Sequence, residues 1–156
     1  APNTAINPIE NKVITADWSL LRKDDFGSKQ SNTLIKSSFK NYNCPKHFVK
    51  DPKVKDHDFL MIFDPKSLSI TYDKLDQSKA HKLTLHLVSP GGNRNINVLI
   101  NGHTIEQNFD LPKNQLIIKD LFIKPEHIKN NQIKLDIQKN SGANAVLSYT
   151  ELCQAE

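Results

Sequence analysis

The residues with the greatest potential for chemistry in this sequence do not form a catalytic pattern. Asp56, His57 and Asp58 are consecutive, and adjacent side chains on a strand point to opposite faces, so they make a poor acid–base pair. His81 and His86 are five residues apart on a predicted strand, which also places them on opposite faces. The sequence contains no nucleophile elbow, phosphate-binding glycine loop or zinc-binding set of cysteines. We therefore expect a protein without enzymatic activity.

One pair of carboxylates has a spacing that suits a metal ion. Asp73 and Asp76 lie in a predicted turn, and calcium prefers carboxylate oxygens as ligands. The glycine-spaced loop of a dedicated calcium site is missing, and the same two residues also suit an ordinary polar turn. A structural calcium ion is therefore the one cofactor that the sequence leaves open, and we expect no other.

Another group of polar residues suits a sugar ligand. Carboxamides, carboxylates and guanidinium groups hydrogen-bond to hydroxyls, while an aromatic ring packs on the apolar face of a sugar. The sole tryptophan, Trp18, is the candidate ring, although a single tryptophan also suits the core. The candidate hydrogen-bonding residues come from three predicted connections and are Asn93, Arg94, Asp110, Lys113, Asn114, Asn140 and Asn144. Such residues are common in the loops of any β protein.

Positive charge is concentrated in the first third of the chain. From Arg22 to Lys55 there are nine basic and three acidic residues, whereas the net charge of the whole chain is +4. This segment predicts an alternative site for an anionic ligand, such as a phosphoinositide headgroup, a sulfated glycan or an anionic membrane surface. Its candidate residues are Tyr42, Lys46, Lys50, Lys53 and Lys55. A solvated face that keeps the protein soluble explains the same charges.

The two cysteines, Cys44 and Cys153, match neither a C-x-x-C redox motif nor a zinc site. In an oxidising compartment they would form one disulfide that ties the C-terminal strand to the basic segment. Closing so long a loop stabilises a fold by roughly 4–5 kcal/mol in the chain-entropy model. Two free, buried thiols are the alternative.

The start of the chain and the cysteines together predict an exported protein. The chain begins with Ala1, and signal peptidase leaves a small residue at its cleavage site. A shortened expression product would begin in the same way. We expect a secreted or periplasmic location, with the signal peptide removed. No stretch approaches the roughly 18–20 apolar residues of a membrane span, and no nucleic-acid-binding signature is present.

Strand patterns dominate the sequence that must position these residues. Alternation of apolar and polar residues is clearest at 81–89 and recurs at 67–72, 95–100 and 132–138. A continuous apolar run at 58–63 predicts a strand that is buried on both faces. Weaker patterns predict further strands at 12–18, 33–39, 115–123 and 145–152.

Turn residues separate the predicted strands. Asn101 and Gly102 predict a type I′ hairpin, which needs positive φ at both positions and would place Val98 opposite Ile105. Residues 125–128 predict a single helical turn that begins with proline. About nine or ten short strands without long helical periodicity predict an all-β, antiparallel β-sandwich of the jelly-roll type.

Four motifs follow one another in the second half of the chain. They are Leu83-Thr84-Leu85-His86-Leu87, Ile96-Asn97-Val98-Leu99-Ile100-Asn101-Gly102, Ile123-Lys124-Pro125-Glu126-His127-Ile128 and Gln132-Ile133-Lys134-Leu135-Asp136-Ile137. The stretch from His81 to Tyr149, somewhat under half of the chain, thereby resembles the galactose-binding-like β-sandwich of carbohydrate-binding modules and sugar-binding lectins. The resemblance implies a jelly roll, a sugar-binding function and, in many members, a structural calcium. Lys129-Asn130-Asn131 departs from the Gly-Glu-Asn that usually precedes the penultimate strand.

Strands that alternate in direction send successive connections to opposite ends of a sandwich. One end is predicted to hold the connections 19–31, 64–66, 89–94, 110–114 and 139–144. The other end is predicted to hold 40–56, 73–80, 101–102 and 124–131. The first end therefore collects the sugar-binding candidates, with Trp18 on the strand that enters it, and the second carries the basic segment.

Length and composition predict one β-sandwich domain over residues 12–156, preceded by a loosely ordered segment at 1–11. We expect it to be a secreted, non-catalytic carbohydrate-binding module. The alternative is a binding module for anionic ligands that uses the segment 40–55. The expected partners are a carbohydrate or an anionic headgroup, with peripheral contact to a membrane or a host surface left open. We expect a monomer.

Overall fold

The computed structural model describes residues 8–26, 36–38, 48–51, 54–58 and 61–156, and it gives the backbone alone for the three ranges between 36 and 58. These residues confirm the predicted all-β architecture, with one 3-10 turn at Pro125–His127 as expected. The strands that they contain are β1 (Trp18–Asp25), β2 (Lys36–Ser38), β3 (Phe48–Asp51), β4 (Val54–Asp58), β5 (Ile62–Asp64), β6 (Ser67–Tyr72), β7 (His81–Val88), β8 (Arg94–Ile100), β9 (His103–Leu111), β10 (Leu116–Ile123), β11 (Ile133–Ser141), β12 (Ala145–Leu147) and β13 (Tyr149–Ala155).

Two antiparallel sheets make the sandwich. The four-stranded sheet has the order β1-β13-β7-β10, and the five-stranded sheet has the order β2-β6-β11-β8-β9. Two short pairs, β12 with β5 and β3 with β4, accompany them. Because neighbouring strands run in opposite directions throughout these sheets, the connections between strands come out at two ends.

The core lies between the inward faces of the two sheets. Every second residue of β7 from Leu83 to Leu87, and of β11 from Ile133 to Ile137, has no exposed surface. Burying a side chain of this size contributes roughly 1.5–3 kcal/mol. The alternation that identified these strands in the sequence is therefore what forms the core.

Two pairs of polar side chains in the interior are hydrogen-bonded. The Tyr72 hydroxyl on β6 and the Thr150 Oγ1 on β13 are 2.7 Å apart, a hydrogen bond that joins the two sheets directly. Burial raises the pKa of the Tyr72 phenol well above its ordinary value. Asp24 is also buried, and the Arg22 Nε and Nη2 donate to its two carboxylate oxygens at 2.8 and 2.9 Å. These pairs meet the requirement that buried polar groups be hydrogen-bonded.

Residues 8–17 pack against the sandwich without forming a strand. The Ile9 N–H donates to the Thr104 carbonyl at 2.9 Å. The Asn11 carboxamide donates to the Asp120 carbonyl and accepts from the Phe122 N–H, both at 2.9 Å. The prediction of a strand at 12–18 is wrong. The Asn11 side chain, and not a ladder of backbone hydrogen bonds, pairs with the backbone groups of Asp120 and Phe122 at this edge of β10.

Candidate functional site

Three connections that were predicted to share one end of the sandwich do meet there. Ser89 forms a β-bridge with Lys113, and the Asn114 N–H donates to the Ser89 carbonyl at 2.9 Å. The turn after β11 comes so near that a Cβ at Gly142 would lie 2.7 Å from the Asn93 carbonyl oxygen. We call the surface formed by 89–94, 110–114 and 139–144 the loop end. The connection predicted at 19–31 is not part of this surface. Residues 18–25 form strand β1 instead, and residues 27–31 lie outside the described part of the chain.

Arg94 cross-links the loop end from within. The residue is only 8% exposed. Its Nε donates to the Asn144 Oδ1 at 3.0 Å, while its Nη1 donates to the Ser89 Oγ at 2.8 Å and to the Pro90 carbonyl at 3.0 Å. The planar guanidinium, with five donors in a fixed arrangement, is well suited to joining several chain segments. Arg94 was predicted as a ligand contact, and these bonds give it a structural role as well.

Three carboxamides at the loop end are oriented by their oxygens. The Asn93 Oδ1 accepts from the Lys113 N–H at 2.8 Å, the Asn114 Oδ1 accepts from the Gly91 N–H at 3.0 Å, and the Asn144 Oδ1 accepts from Arg94. Each carboxamide also carries two N–H donors on its nitrogen. Within the described part of the chain, none of these three nitrogens has a hydrogen-bond partner. The loop end therefore carries a set of oriented N–H donors without a partner among the described residues.

An open depression of about 280 Å³ lies among these connections. Its wall combines polar groups from Asn93, Arg94 and Asp110 with apolar surface. The apolar surface comes mainly from Pro112, because Leu111, which also lines the depression, is only 1% exposed. Leu111 and Pro112 were not among the predicted site residues, although their position between Asp110 and Lys113 places them at the same turn. A mixed wall of apolar surface and a few polar groups is typical of small-molecule sites.

Asn140, another predicted site residue, belongs to a neighbouring cluster on the five-stranded sheet. Its Nδ2 donates to the Oδ1 atoms of Asn95 at 2.9 Å and Asn97 at 2.7 Å. The Asn95 Nδ2 donates in turn to the Asp110 Oδ1 at 2.7 Å, which connects this cluster to the depression. Asn95 and Asn97 were not among the predicted site residues, although their alternate spacing on a predicted strand places both on one face.

Trp18 does not lie at the loop end. It begins β1 and pairs with Ala155, beside the start of β7, whereas Ser89 follows the end of β7. An eight-residue strand spans roughly 20 Å or more, so the two sites are far apart. The Trp18 ring lies 6.2 Å from the Phe122 ring, and the Lys82 Nζ is 5.4 Å from its centroid. These contacts give the indole a packing role on the outer face of the four-stranded sheet.

The alternative anionic site lies largely outside the described residues. Tyr42, Lys46 and Lys53 are not described, and for Lys50 on β3 and Lys55 on β4 the structure gives the backbone alone. That site stays a prediction.

Cys153 is a free cysteine on β13, and burial raises the pKa of its thiol. Cys44 lies outside the described residues, so the disulfide between them also stays a prediction.

Of the candidate calcium ligands, Asp76 is used by a turn. Its Oδ1 accepts from the Ser78 N–H at 3.0 Å and from the Ser78 hydroxyl at 2.5 Å, and these bonds lower the pKa of the exposed carboxyl. The described residues contain no group of three or more His, Cys, Asp or Glu side chains that suits a metal ion.

Nor does that part of the chain contain a helix long and apolar enough to cross a membrane.

Comparison with known proteins gives a likeness of fold. No protein-family model and no curated protein matches the sequence. The structure of the plant receptor-like kinase ANX2 matches with a TM-score of 0.69 and 13% identity, over 91% of this chain and 49% of that one. The extracellular domain of ANXUR1 from Arabidopsis thaliana matches with a TM-score of 0.61 and 11% identity, over 96% and 53% of the two chains.

A bacterial glycosidase is also similar in part. β-Glucuronidase 2 of Bacteroides uniformis matches with a TM-score of 0.54 and 12% identity, over 78% of this chain and 13% of that one. The chain thus spans about half the length of the plant chains and a small part of the glycosidase. At these identities the likeness shows a shared β-rich fold and nothing about activity.

Proposed function

We propose that this chain is a non-catalytic carbohydrate-binding domain and that its sugar site is the depression at the loop end. The observation that carries the proposal is the orientation of Asn93, Asn114 and Asn144. Their oxygens are held by the protein at 2.8–3.0 Å, and their N–H groups have no partner among the described residues. Asn93 lines the depression itself, whereas Asn114 and Asn144 lie on the connections that surround it. Prepositioned planar donors of this kind match the hydroxyl oxygens of a sugar at little cost in conformational entropy.

The wall of the depression supports the same ligand class. Pro112 supplies apolar surface against which the C–H face of a pyranose can pack, and Asp110 supplies an acceptor beside it. Sugars carry both kinds of surface, so a site that offers both is matched to them. Loops held by a rigid sandwich are a common place for such recognition.

A binding role fits the wall better than catalysis does. Asp110 is the one carboxylate among the five residues that line the depression, whereas glycoside hydrolysis commonly uses a pair of carboxylates on either side of the bond. The likeness to a region covering 13% of a β-glucuronidase chain and to plant ectodomains is compatible with a non-catalytic domain.

The test is a titration of the full chain with a panel of neutral and acidic oligosaccharides, followed by amide NMR. We expect shifts that are largest at Asn93, Asn114 and Asn144. The single substitutions Asn93→Ala and Asn114→Ala should each weaken binding of the oligosaccharide by about five- to tenfold, which corresponds to the loss of one or two neutral hydrogen bonds.

Trp18→Ala is the matched control, because the indole lies at the other end of the four-stranded sheet. It should leave the affinity unchanged while lowering stability. If no oligosaccharide in the panel causes shifts at the loop end, or if Trp18→Ala abolishes binding while the asparagine variants bind normally, this proposal is wrong.

A further inference from the structure

Among the side chains of Asn93, Asn114, Asn144 and Asp110, N–H donors without a partner outnumber unused oxygen acceptors. The nitrogens of Asn93, Asn114 and Asn144 together carry six N–H groups, and their oxygens are already used within the protein. The carboxylate in the wall of the depression belongs to Asp110, and its Oδ1 already accepts from Asn95 at 2.7 Å. A neutral sugar would bring hydroxyl protons that find few acceptors here, and each buried unmatched proton costs binding free energy.

Positive charge accompanies these donors. Arg94 lines the depression and is always charged, and its buried position limits screening by water. Lys113 is exposed at the same turn, and its ammonium forms no ion pair with any described residue. Lys139 adds a third positive charge to the residues that define the loop end, and Asp110 is the one carboxylate among them, so the balance of charge there is positive.

From these two observations we propose that the loop end recognises a glycan through an acidic substituent, a carboxylate or a sulfate group. This inference rests on the proposed function and names the class of sugar. An acidic group accepts several hydrogen bonds and donates none, which matches the donor excess. Hydrogen bonds between charged partners are also shorter and stronger than neutral ones. Asp110, in the same wall, is then an unfavourable neighbour that limits the affinity.

The experiment is calorimetric titration of the full chain with three oligosaccharides of equal length: a uronic acid oligomer, a sulfated oligomer and a neutral oligomer. We expect at least one acidic oligomer to bind about tenfold more tightly than the neutral one at low salt. Its advantage should shrink as salt is raised, because Lys113 is exposed to screening. The ratio between the uronic acid and the sulfated oligomer identifies which acidic group is recognised.

Two variants with opposite expected effects sharpen the test. Lys113→Gln should lower the affinity for the acidic oligomer by about two- to fivefold, and Asp110→Asn should raise that affinity by a similar factor. Lys124→Gln, which removes an exposed charge beside the 3-10 turn at Pro125–His127, is the matched control and should have no effect.

Equal affinity for the neutral and acidic oligomers, together with weaker binding by Asp110→Asn, would overturn this inference and leave the proposed function standing. Failure of all three oligomers and of the wider panel to bind would overturn the proposed function itself.

Discussion

Arg94 shows how one residue both builds and occupies the candidate site. Its guanidinium joins Asn144, Ser89 and the Pro90 carbonyl at 2.8–3.0 Å. These groups come from the connections that follow β7 and β11, so the shape of the depression depends on the one side chain. The residue is nearly buried, and its removal would leave acceptors without donors.

Arg94→Met should therefore lower the free energy of unfolding by about 2–4 kcal/mol, since charge-assisted hydrogen bonds to buried acceptors are lost. The measurement is chemical denaturation followed by tryptophan fluorescence. Lys113→Gln, at the same end but exposed, should change the free energy of unfolding by no more than about 0.5 kcal/mol. Equal effects of the two substitutions would show that Arg94 is not the cross-link described above.

Residue by residue, the placement of the candidate residues could be predicted in part. Asn93, Arg94, Lys113, Asn114 and Asn144 were singled out by residue type and by the alternation of strand direction, and the structure brings them together. In each of the three carboxamides the oxygen accepts a hydrogen bond from the protein, and the nitrogen has no partner among the described residues. This difference depends on side-chain placement that no pattern in the sequence encodes. Whether these residues bind a ligand stays a prediction.

At the level of elements, the loop end depends on a close approach between two turns. Gly142, after β11, has a φ of 93°, and a Cβ there would meet the Asn93 carbonyl oxygen at 2.7 Å and the Arg94 Cγ at 2.8 Å. A side chain at this position would push the two connections apart. Glycine is thus required both by the backbone angle and by the space.

Gly142→Ala should destabilise the protein by about 2–3 kcal/mol, because overpacking adds to the backbone strain. Gly91→Ala provides the matched control: its φ of 78° is also positive, but nothing lies within 4 Å of the added Cβ. It should cost only about 1 kcal/mol. Both values come from urea denaturation, and equal costs would mean that the approach to Asn93 is looser than the structure indicates.

The hairpin between β8 and β9 shows how far elements could be predicted. Asn101 and Gly102 have the positive φ values, 48° and 83°, that the turn prediction required. Val98, however, pairs with Glu106 and not with the predicted Ile105, because the register shifts at two irregularities in this ladder. A β-bulge adds a residue to one strand only. Side chains of neighbouring asparagines stabilise the irregular ladder, since the Asn97 Oδ1 accepts a hydrogen bond from the Asn108 N–H at 2.9 Å.

On the scale of the whole molecule, burial shifts the titration of several histidines in the same direction. The pKa values of His81, His86 and His127 are all lowered, chiefly by desolvation. His81 is fully buried, its Nδ1 lies 2.9 Å from the Lys79 carbonyl, and its Nε2 has no partner. Protonation would place a buried N–H on Nε2 without an acceptor.

The folded state should therefore lose stability on acidification. Because the pKa of His81 in the folded state lies below the ordinary histidine value of 6.5, the contribution of neutral His81 is complete above pH 6.5 and is lost as the pH falls through the folded pKa. Urea denaturation at about pH 7.5 and about pH 5.5 measures this loss. Asp136, whose pKa burial raises, acts in the opposite direction. His81→Asn should show a smaller loss than the unmodified chain, and an unchanged loss would exclude His81 as the source.

The pattern of residue types was enough to predict the all-β class, most of the strands, the hairpin turn and the group of connections that form the loop end. Those features follow from local alternation, turn residues and strand direction, which act over a few residues. Packing in the folded state was needed to place Trp18 beside Lys82 and Phe122 at the far end of its sheet, to bring Asn11 and not a strand alongside β10, and to line the depression with Leu111 and Pro112. Each of these depends on contacts between residues distant in the chain, and such contacts are selected by packing and hydrogen bonding in the folded state.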